Sequence, residues 1–300
     1  MDRLHSILSE AEARFTANPG ADTIDWLATE LAASFDEAAQ GGDLPAFQAA
    51  CRAHPLSEIV LLDPYARRAV DKPRGYAGDA VMLDYIYRPS GSPLGRLAGI
   101  VHEATTTLPN AKSILWRRDY LATLIAQRMA SRETAEVLSV ASGHMRELDS
   151  LRTLTPATNV HFTALDQDAE SIAEARAAYG EYAIAGQVCS FAALIRQRKI
   201  ADTYDLIYSA GLFDYLQDTT ATALIRAMFK RLKPGGMLSI GNFARDSHGR
   251  GFMAGFMDWC LIYRNEDDLR ALAAAACPGA AHRIFRDGPG NVVYLEVFAE

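Results

Sequence analysis

Residues 136–168 constrain the fold of this chain more than any other stretch, because they combine strand, turn and helix signals in one unit. A buried strand is predicted over 137–140, a turn of small residues over 141–143, and a second strand that begins at Val160 and ends on Asp166. The turn lets the backbone approach a ligand closely and directs the free N–H groups of the next helix towards it. A carboxylate after the second strand can accept hydrogen bonds from ribose hydroxyls. The segment therefore predicts a nucleotide-binding βαβ unit and places the cofactor site there.

The chain after this unit continues to alternate between strand and helix patterns. The predicted strands and helices are, in order, helix 171–179, strand 185–189, helix 192–198, strand 204–208, helix 219–232, strand 237–242 and two final strands at 283–286 and 292–298. Alternation of this kind predicts a doubly wound sheet with mostly parallel strands. The turn sequence DGPGN joins the last two strands, which predicts a C-terminal antiparallel hairpin. The expected fold class is therefore α/β, Rossmann-like, with this hairpin at its end.

Residues 1–130 lack strand-like alternation and are predicted to form a helical N-terminal cap, with 131–300 as the second domain. Apolar residues recur at helical spacing in two groups, which are Leu4, Ile7, Leu8, Ala11 and Phe15, and then Ile24, Leu27, Leu31 and Phe35. Spacing of three and four residues places each group on one face of a helix. These faces are expected to pack in the cap.

The sequence KPRGYAGD at 72–79 differs from the helices around it, because it crowds charges of both signs, a proline, two glycines and a tyrosine into one loop. Glycines beside a tyrosine indicate a backbone that turns sharply or lies close to another group. One interpretation is a tight connection between helices. The other is a lid that brings Arg74 and Tyr76 over a ligand, with the guanidinium for a carboxylate and the ring for a cation.

A second stretch also allows two interpretations. Glycines are interleaved there with a run of large apolar residues, Phe252, Met253, Phe256, Met257 and Trp259. Such a segment after the fifth strand can cover an acceptor pocket, or it can be one face of a core helix. Sequence alone does not choose between them.

Composition excludes several classes of function. The formal net charge of -7 argues against non-specific nucleic-acid binding, which needs a basic surface to neutralise phosphates. The cysteines have no metal-ligand spacing, so free thiols and no metal site are expected for Cys51, Cys189, Cys260 and Cys277. The N-terminus has no apolar signal segment, and no run of residues has the length of a membrane span. A cytoplasmic location is expected, and the oligomeric state is left open.

Three features follow one another in the chain: the turn at 141–143, Asp166 at the end of the second strand, and the sequence KPGG at 233–236 before the fifth strand. With these features in this order, residues 136–300 resemble a class I S-adenosylmethionine (SAM)-dependent methyltransferase. Most such enzymes have an acid and two or three glycines in the first loop, and the acid lies close to the methionine amino group. This chain has Ser139 in place of the acid and a single glycine, Gly143. Another group must therefore bind the methionine end.

The sequences KPRGYAGDAVMLDYIY, SGHMRE and FMDWCLIYR narrow the resemblance. They are similar to bacterial proteins for biosynthesis of 3-hydroxypalmitic acid methyl ester, in which a helical region precedes the methyltransferase fold. The same group includes azetidine-2-carboxylate synthases, which act on SAM alone, close its aminobutyrate chain into a four-membered ring and release methylthioadenosine. The resemblance covers residues 45–300.

The resemblance implies SAM as cosubstrate or sole substrate and assigns its contacts. Asp166 is expected to bind the ribose hydroxyls and Arg74 the methionine carboxylate. The remaining expected contacts are Ser142 and Gly143 under the adenosine and methionine parts, Gln167, Ser190 and Phe191 at the adenine, and Ser209, Ala210 and Gly211 near the sulfonium carbon.

Methyl transfer is a displacement at a carbon next to sulfonium, so alignment and exclusion of water matter more than a strong acid. A carboxylate acceptor needs no general base, whereas an amine or hydroxyl acceptor does. His144 is the candidate for that base, the alternative being a histidine that bonds locally at the start of a helix. Tyr76, Tyr215 and Phe213 are the candidates for an aromatic face against the sulfonium.

These arguments predict a SAM-dependent transferase that methylates a small-molecule carboxylate or oxygen, with a hydroxy-fatty acid as the type of acceptor. Intramolecular cyclisation of SAM to azetidine-2-carboxylate is the enzymatic alternative. A SAM-binding regulatory protein without activity is the alternative from another class, because the first loop is poor in glycine.

Overall fold

The structure is a computed structural model that describes residues 2–88, 95–196 and 203–300. The chain forms two compact units. The first unit consists of Met1–Leu115 and Asp246–Cys260, and the second of Trp116–Arg245 and Leu261–Glu300. This division differs from the predicted boundary at residue 130, because a helix crosses from one unit into the other and a later segment returns to the first.

Helices make up most of the first unit and flank the sheet of the second. In chain order they are α1 (Asp2–Ala17), α2 (Ala21–Gly41), α3 (Leu44–Ala53), α4 (Leu56–Val60), α5 (Pro64–Asp71), α6 (Ala80–Tyr87), α7 (Arg96–Thr107), α8 (Pro109–Ser131), α9 (Glu147–Leu154), α10 (Ala169–Ala178), α11 (Ala192–Ile195), α12 (Asp218–Phe229), α13 (Arg250–Phe256) and α14 (Glu266–Ala276). A short 3₁₀ helix covers Phe213–Tyr215. None of the helices in the described residues is long and apolar enough to cross a membrane.

The two apolar groups predicted near the N-terminus are buried on α1 and α2, which confirms both helical faces. The end of the predicted helix at 192–198 lies outside the described residues, and α11 accounts for its beginning. All four cysteines carry free thiols.

The apolar run after the fifth strand belongs to the core of the first unit. Its five large residues are at most 4% exposed, and they are Phe252, Met253, Phe256, Met257 and Trp259. Glycines let α13 pack closely on its neighbours: a Cβ on Gly251 would lie 2.6 Å from the Leu31 carbonyl oxygen, and one on Gly255 would lie 2.7 Å from the Cys51 sulfur. The core-helix interpretation of this run therefore accounts for it.

The second unit contains a seven-stranded sheet. Its strands are β1 (Ala135–Val140), β2 (Val160–Asp166), β3 (Ala183–Val188), β4 (Tyr204–Ser209), β5 (Leu232–Phe243), β6 (His282–Arg286) and β7 (Val292–Phe298). Their order across the sheet is β3-β2-β1-β4-β5-β7-β6. The first five strands are parallel, while β7 pairs antiparallel with both β5 and β6. This confirms the predicted α/β class, the doubly wound order and the terminal hairpin.

The KPGG sequence lies inside β5 rather than before it. Pairing with β4 is irregular there, since Tyr204 pairs with Leu232 while Leu206 pairs with Met237. Gly235 has a φ of 72°, and a Cβ on Gly236 would lie 2.8 Å from the Lys233 carbonyl oxygen. The glycines therefore make a tight irregularity within the strand instead of a turn that ends the preceding element.

Alternate residues of the central strands pack on opposite faces of the sheet. Leu138 and Val140 of β1 belong to the apolar cluster formed with α12 and α14, together with Ile207 of β4. Val137 and Tyr208 belong to the other cluster, which includes residues of α8, α9 and α10. Because side chains alternate along a strand, Ser139 projects to the same face as Tyr208, with which it is in register.

Candidate functional site

Strand order reverses between β1 and β4, and ligands in open α/β sheets bind outside the carboxyl ends of the strands at such a point. Three segments meet this description and together form what we call the carboxyl edge. They are residues 141–147 after β1, 166–168 at the end of β2, and 209–214 at the end of β4.

The loop after β1 has an alternating left-handed backbone. Ala141, Gly143 and Met145 have φ values of 54°, 53° and 52°. Only glycine adopts this conformation without steric cost, so Ala141 and Met145 are strained. The loop therefore has three left-handed positions that suit glycine, but only one of them, Gly143, is a glycine. A loop with few glycines can still form the turn because Ala141 and Met145 adopt the same conformation.

Asp166 holds this loop against the end of β2. One carboxylate oxygen accepts a hydrogen bond from the Gly143 N–H at 2.8 Å, and the other accepts from the Asp168 N–H at 2.9 Å. Burial raises the pKa of Asp166, and the backbone N–H groups oppose that rise. A carboxylate has about four lone-pair sites, so Asp166 can accept a further hydrogen bond besides those of the Gly143, Gln167 and Asp168 N–H groups. The geometry therefore brings two predicted contacts, Gly143 and Asp166, together.

Other predicted contacts lie in the carboxyl edge or in the segment after β3. The Ser142 N–H donates to the Leu165 carbonyl at 3.1 Å, and the Cys189 N–H donates to the Asp166 carbonyl at 2.8 Å. Ser190 and Phe191 directly follow Cys189 in the chain, so the second bond holds the start of their segment at the end of β2. The Phe191 ring is partly buried against a core cluster, whereas Gln167 is exposed.

The residues after β4 are tied to β1 and to α8. The Ser209 hydroxyl donates to the Val140 carbonyl at 2.8 Å, which joins the ends of the two strands. The Arg117 guanidinium of α8 donates to the Ala210 carbonyl at 2.7 Å. A Cβ on Gly211 would lie 3.2 Å from that guanidinium, so the absence of a side chain there leaves room for Arg117.

A buried acid faces the same region. Glu147, the first residue of α9, accepts a hydrogen bond from the Tyr208 hydroxyl. Burial raises the pKa of Glu147, while the Tyr208 bond and the positive charges of Arg117 and Arg146 oppose that rise. Arg117 is only 7% exposed, so a cation and a carboxylate are both largely withdrawn from water at this edge.

Asp214 is a second buried acid, in the 3₁₀ helix after β4. Its carboxylate accepts from the Phe243 N–H at 2.7 Å. Burial raises the pKa of Asp214 to about 6, against the opposing effects of that bond and of Arg117 and Arg264. Arg264 is itself buried and donates to the carbonyls of Phe213 and Leu216, which holds the 3₁₀ helix in place.

His144 lies in the loop but is poorly placed to act as a base. The ring is largely buried, and its Nδ1 lies 3.3 Å from Nη2 of Arg146. Because a guanidinium only donates, Nδ1 must accept, so neutral His144 carries its proton on Nε2. Neither nitrogen is then available to take a proton from an acceptor. The geometry therefore favours the alternative of a histidine that bonds locally.

The aromatic candidates differ in exposure. Phe213 is fully buried in a core cluster, so its ring has no face for a ligand. Tyr215 is 38% exposed at the end of the 3₁₀ helix and retains its predicted role as a hypothesis.

Arg74 and Tyr76 belong to the first unit. The ends of their loop are anchored within that unit. The Lys72 ammonium donates to Asp258 at 2.6 Å, and Asp79 both caps α6 by accepting from the Met82 N–H at 2.8 Å and pairs with Arg68 at 2.8 Å. The roles of Arg74 and Tyr76 in binding stay predictions.

Sequence reasoning missed four residues of the carboxyl edge or its support, namely Arg117, Glu147, Tyr208 and Asp214. Arg117 lies in an amphipathic helix where arginine is common, and Glu147 lies in the first turn of a helix, where an acid favours the helix dipole. Asp214 follows a predicted strand, and that position at the carboxyl end of β4 was the one available signal.

Residues 137–236 match the family model described as a methyltransferase domain. Residues 137–236 have a class I methyltransferase fold. The match begins in β1 of the methyltransferase domain and ends within β5, so it contains the whole carboxyl edge. No functionally curated protein matches the chain.

Several solved structures are similar to parts of the chain, and one of them is similar over most of its length. A possible exported protein from Bordetella parapertussis is 19% identical, with a TM-score of 0.63 over 86% of this chain and 96% of that one. Magnesium protoporphyrin IX methyltransferase from Synechocystis, with bound SAM, is 13% identical, with a TM-score of 0.45 over 63% and 83% of the two chains. The N-methyltransferase NodS from Bradyrhizobium japonicum, in complex with S-adenosylhomocysteine, is 18% identical, with a TM-score of 0.44 over 61% and 87%. At these identities the first likeness supports the fold alone.

The methyltransferase domain implies SAM as the cosubstrate, and the residues at the carboxyl edge are chemically suited to it. Asp166 offers carboxylate acceptors to ribose hydroxyls while its backbone bonds hold it in place. The left-handed turn at Gly143 brings the loop backbone next to that carboxylate, as close approach of a nucleoside requires. The donor and acceptor set at this edge therefore fits SAM.

Proposed function

We propose that the protein transfers the methyl group of SAM to a small-molecule carboxylate or related oxygen, with a hydroxy-fatty acid as the type of acceptor. The observation that carries the proposal is the Asp166 carboxylate bonded to Gly143 at the strand-order reversal of a methyltransferase domain. The sulfonium of SAM supplies an activated methyl carbon and a neutral thioether leaving group. The chain's own residues then have to bind, align and exclude water.

The state of His144 supports an oxygen acceptor that is already ionised. Its Nδ1 faces a guanidinium that can only donate, so the loop after β1 offers no free imidazole nitrogen as a base. A carboxylate is deprotonated at neutral pH and can attack the methyl carbon without a base. Its oxygen forms the new bond while the sulfur–carbon bond breaks and the electron pair moves to sulfur.

The binding roles follow the order of the strands. Asp166 binds the ribose hydroxyls, and Ser142 and Gly143 lie under the nucleoside. The adenine lies against Gln167, Ser190 and Phe191, whereas Ser209, Ala210 and Gly211 line the path to the sulfonium carbon. Tyr215 and Tyr76 are the proposed aromatic contacts of the sulfonium, and Arg74 is a proposed contact of the methionine carboxylate.

The test is incubation of the purified full chain with SAM, with and without 3-hydroxypalmitic acid, followed by mass spectrometry. The proposal predicts S-adenosylhomocysteine and a methyl ester only when the acid is present. Asp166→Ala is the control and should form neither product.

The same incubation decides the alternatives. Methylthioadenosine together with a product of azetidine-2-carboxylate mass, formed from SAM alone, would replace methyl transfer by cyclisation. Tight SAM binding with no product for any carboxylic, hydroxylic or amine acceptor would favour the regulatory alternative.

A further inference from the structure

Ser139 stands where this fold usually has the acid that lies near the methionine amino group, so the chain needs another group for that end of SAM. Ser139 is buried at 2% exposure on β1 and is in register with Tyr208 of β4 on the same sheet face. The Tyr208 hydroxyl donates to the Glu147 carboxylate. The hydrogen bond from Tyr208 thus holds the Glu147 carboxylate on the sheet face to which Ser139 projects, near the end of the strand where the usual acid is missing.

A cation accompanies this carboxylate. Arg117 lies on α8 one turn before Leu121, which packs on the same sheet face as Tyr208. Its guanidinium donates to the Ala210 carbonyl at the end of β4, and its charge acts on both Glu147 and Asp214. The free amino-acid end of SAM carries one ammonium and one carboxylate, so a buried cation and a buried acid at the same end of the sheet match it in charge.

We propose that Arg117 and Glu147 bind the methionine end of SAM, with Arg117 at one oxygen of its carboxylate and Glu147 at its ammonium, in place of the acid that Ser139 replaces. This rests on the proposed use of SAM, but it holds for methyl transfer and for cyclisation alike. Tyr208 acts as a positioning residue, because it touches Glu147 and orients its carboxylate.

Two ligands separate this role from a purely structural one. SAM carries the charged aminobutyrate chain, whereas methylthioadenosine keeps the adenosine and the sulfur but lacks that chain. Calorimetric titration of the full chain with each ligand therefore isolates the contribution of the methionine end.

Arg117→Ala should weaken SAM binding by about tenfold or more, since a charged hydrogen bond in a buried site is lost, while methylthioadenosine binding changes by less than about twofold. Glu147→Gln should give the same pattern with a smaller loss. Arg118→Ala is the matched control, because Arg118 is the next residue of α8 and pairs with Asp119 instead. It should change neither affinity.

Equal losses for both ligands would overturn the proposal and make the pair structural, as would an unchanged affinity for SAM. If circular dichroism shows that Arg117→Ala does not fold, Arg117→Lys distinguishes the binding role from a structural one, because lysine keeps the charge but lacks the planar guanidinium. That variant should also weaken SAM selectively. A native chain that binds neither ligand would instead overturn the proposed function itself.

Discussion

The loop at 72–79 in the first unit and the carboxyl edge in the second are both rich in charged groups and turn conformations, yet they use them differently. In the loop the left-handed conformations fall on Gly75 and Gly78 as well as Lys72, and the charges at its ends are paired within the unit. At the carboxyl edge the left-handed residues are mostly not glycine, and the carboxyls of Glu147 and Asp214 are buried with raised pKa values.

The difference indicates that the ends of the loop stabilise the fold, whereas the carboxyl edge has features of a binding site. Strained backbone and buried carboxyls destabilise a fold unless something compensates for them, so they are typical of functional sites. Paired charges and helix caps stabilise the fold by themselves. We therefore expect substitutions at the carboxyl edge to affect binding most, and those at the ends of the loop to affect stability.

The largest effect is expected for Asp166→Ala. The change removes the acceptor for the ribose hydroxyls and releases the Gly143 and Asp168 N–H groups, so SAM binding should weaken by about a hundredfold or more. Calorimetric titration measures the loss, and Asp149→Ala on α9 is a control that should leave it unchanged. A loss below about threefold would mean that the carboxyl edge is not the nucleoside site.

Asp214→Asn should produce a pH-dependent gain in stability. The folded pKa of about 6 lies above the ordinary value of 3.8, so the folded state holds a proton that the unfolded state has released between those values. Stability of the native chain therefore falls across that window as pH rises, and the full cost, about 3 kcal/mol, is present at neutral pH.

The variant keeps an oxygen for the Phe243 N–H but has no ionisation. Its free energy of unfolding relative to the native chain should rise between about pH 4 and pH 7.5, as measured by urea denaturation at each pH. A difference that does not vary with pH would show that Asp214 titrates normally.

Asp79→Ala tests whether the ends of the loop at 72–79 stabilise the first unit. Asp79 is 1% exposed, and the substitution removes both the cap of α6 and the ion-pair partner of Arg68. We therefore expect a loss of about 2 kcal/mol in the free energy of unfolding. SAM affinity of the folded fraction should stay the same. Asp71→Ala, at an exposed acid near the loop, is the control; a similar small effect for both would contradict the anchoring role.

Arg74→Ala separates the middle of the loop from its ends. If Arg74 contacts the methionine carboxylate, SAM binding should weaken severalfold, equivalent to about 1 kcal/mol, with no change in stability. Arg96→Ala, an exposed arginine of the same unit, serves as the reference. An unchanged dissociation constant would reduce the loop to a connection between α5 and α6.

The smallest effect is expected for Ala141→Gly. Glycine removes the strain of a φ of 54° but adds backbone entropy to the unfolded chain, so stability should stay the same or rise by less than about 1 kcal/mol. Ala173→Gly, at an exposed position inside α10, should lose about 1 kcal/mol. If both variants lose the same amount, the left-handed conformation at Ala141 carries no strain.

Much of the second unit could be predicted because its strands are apolar runs with turn residues between them. The βαβ unit, the parallel order and the final hairpin follow from that pattern, and Asp166 follows from its position at a strand end. The boundary between the units could not be predicted, because whether α13 packs on α2 and α3 depends on contacts that are distant in sequence. A cover over an acceptor pocket and one face of a core helix predict the same pattern of apolar residues, so the sequence did not distinguish them.

The sequence by itself determined the methyltransferase fold, the position of Asp166 at the end of β2 and the absence of the usual acid at Ser139, because these depend on local periodicity and on residue identity. Only the tertiary structure shows which charged groups lie at that end of the sheet, and the proposal for the missing acid rests on them. Arg117 and Glu147 are 30 positions apart in the chain, and the charge of Arg117 acts on Glu147 because α8 and α9 pack on the same face of the sheet. Burial then raises the pKa of Glu147, an effect of surroundings that no local pattern records.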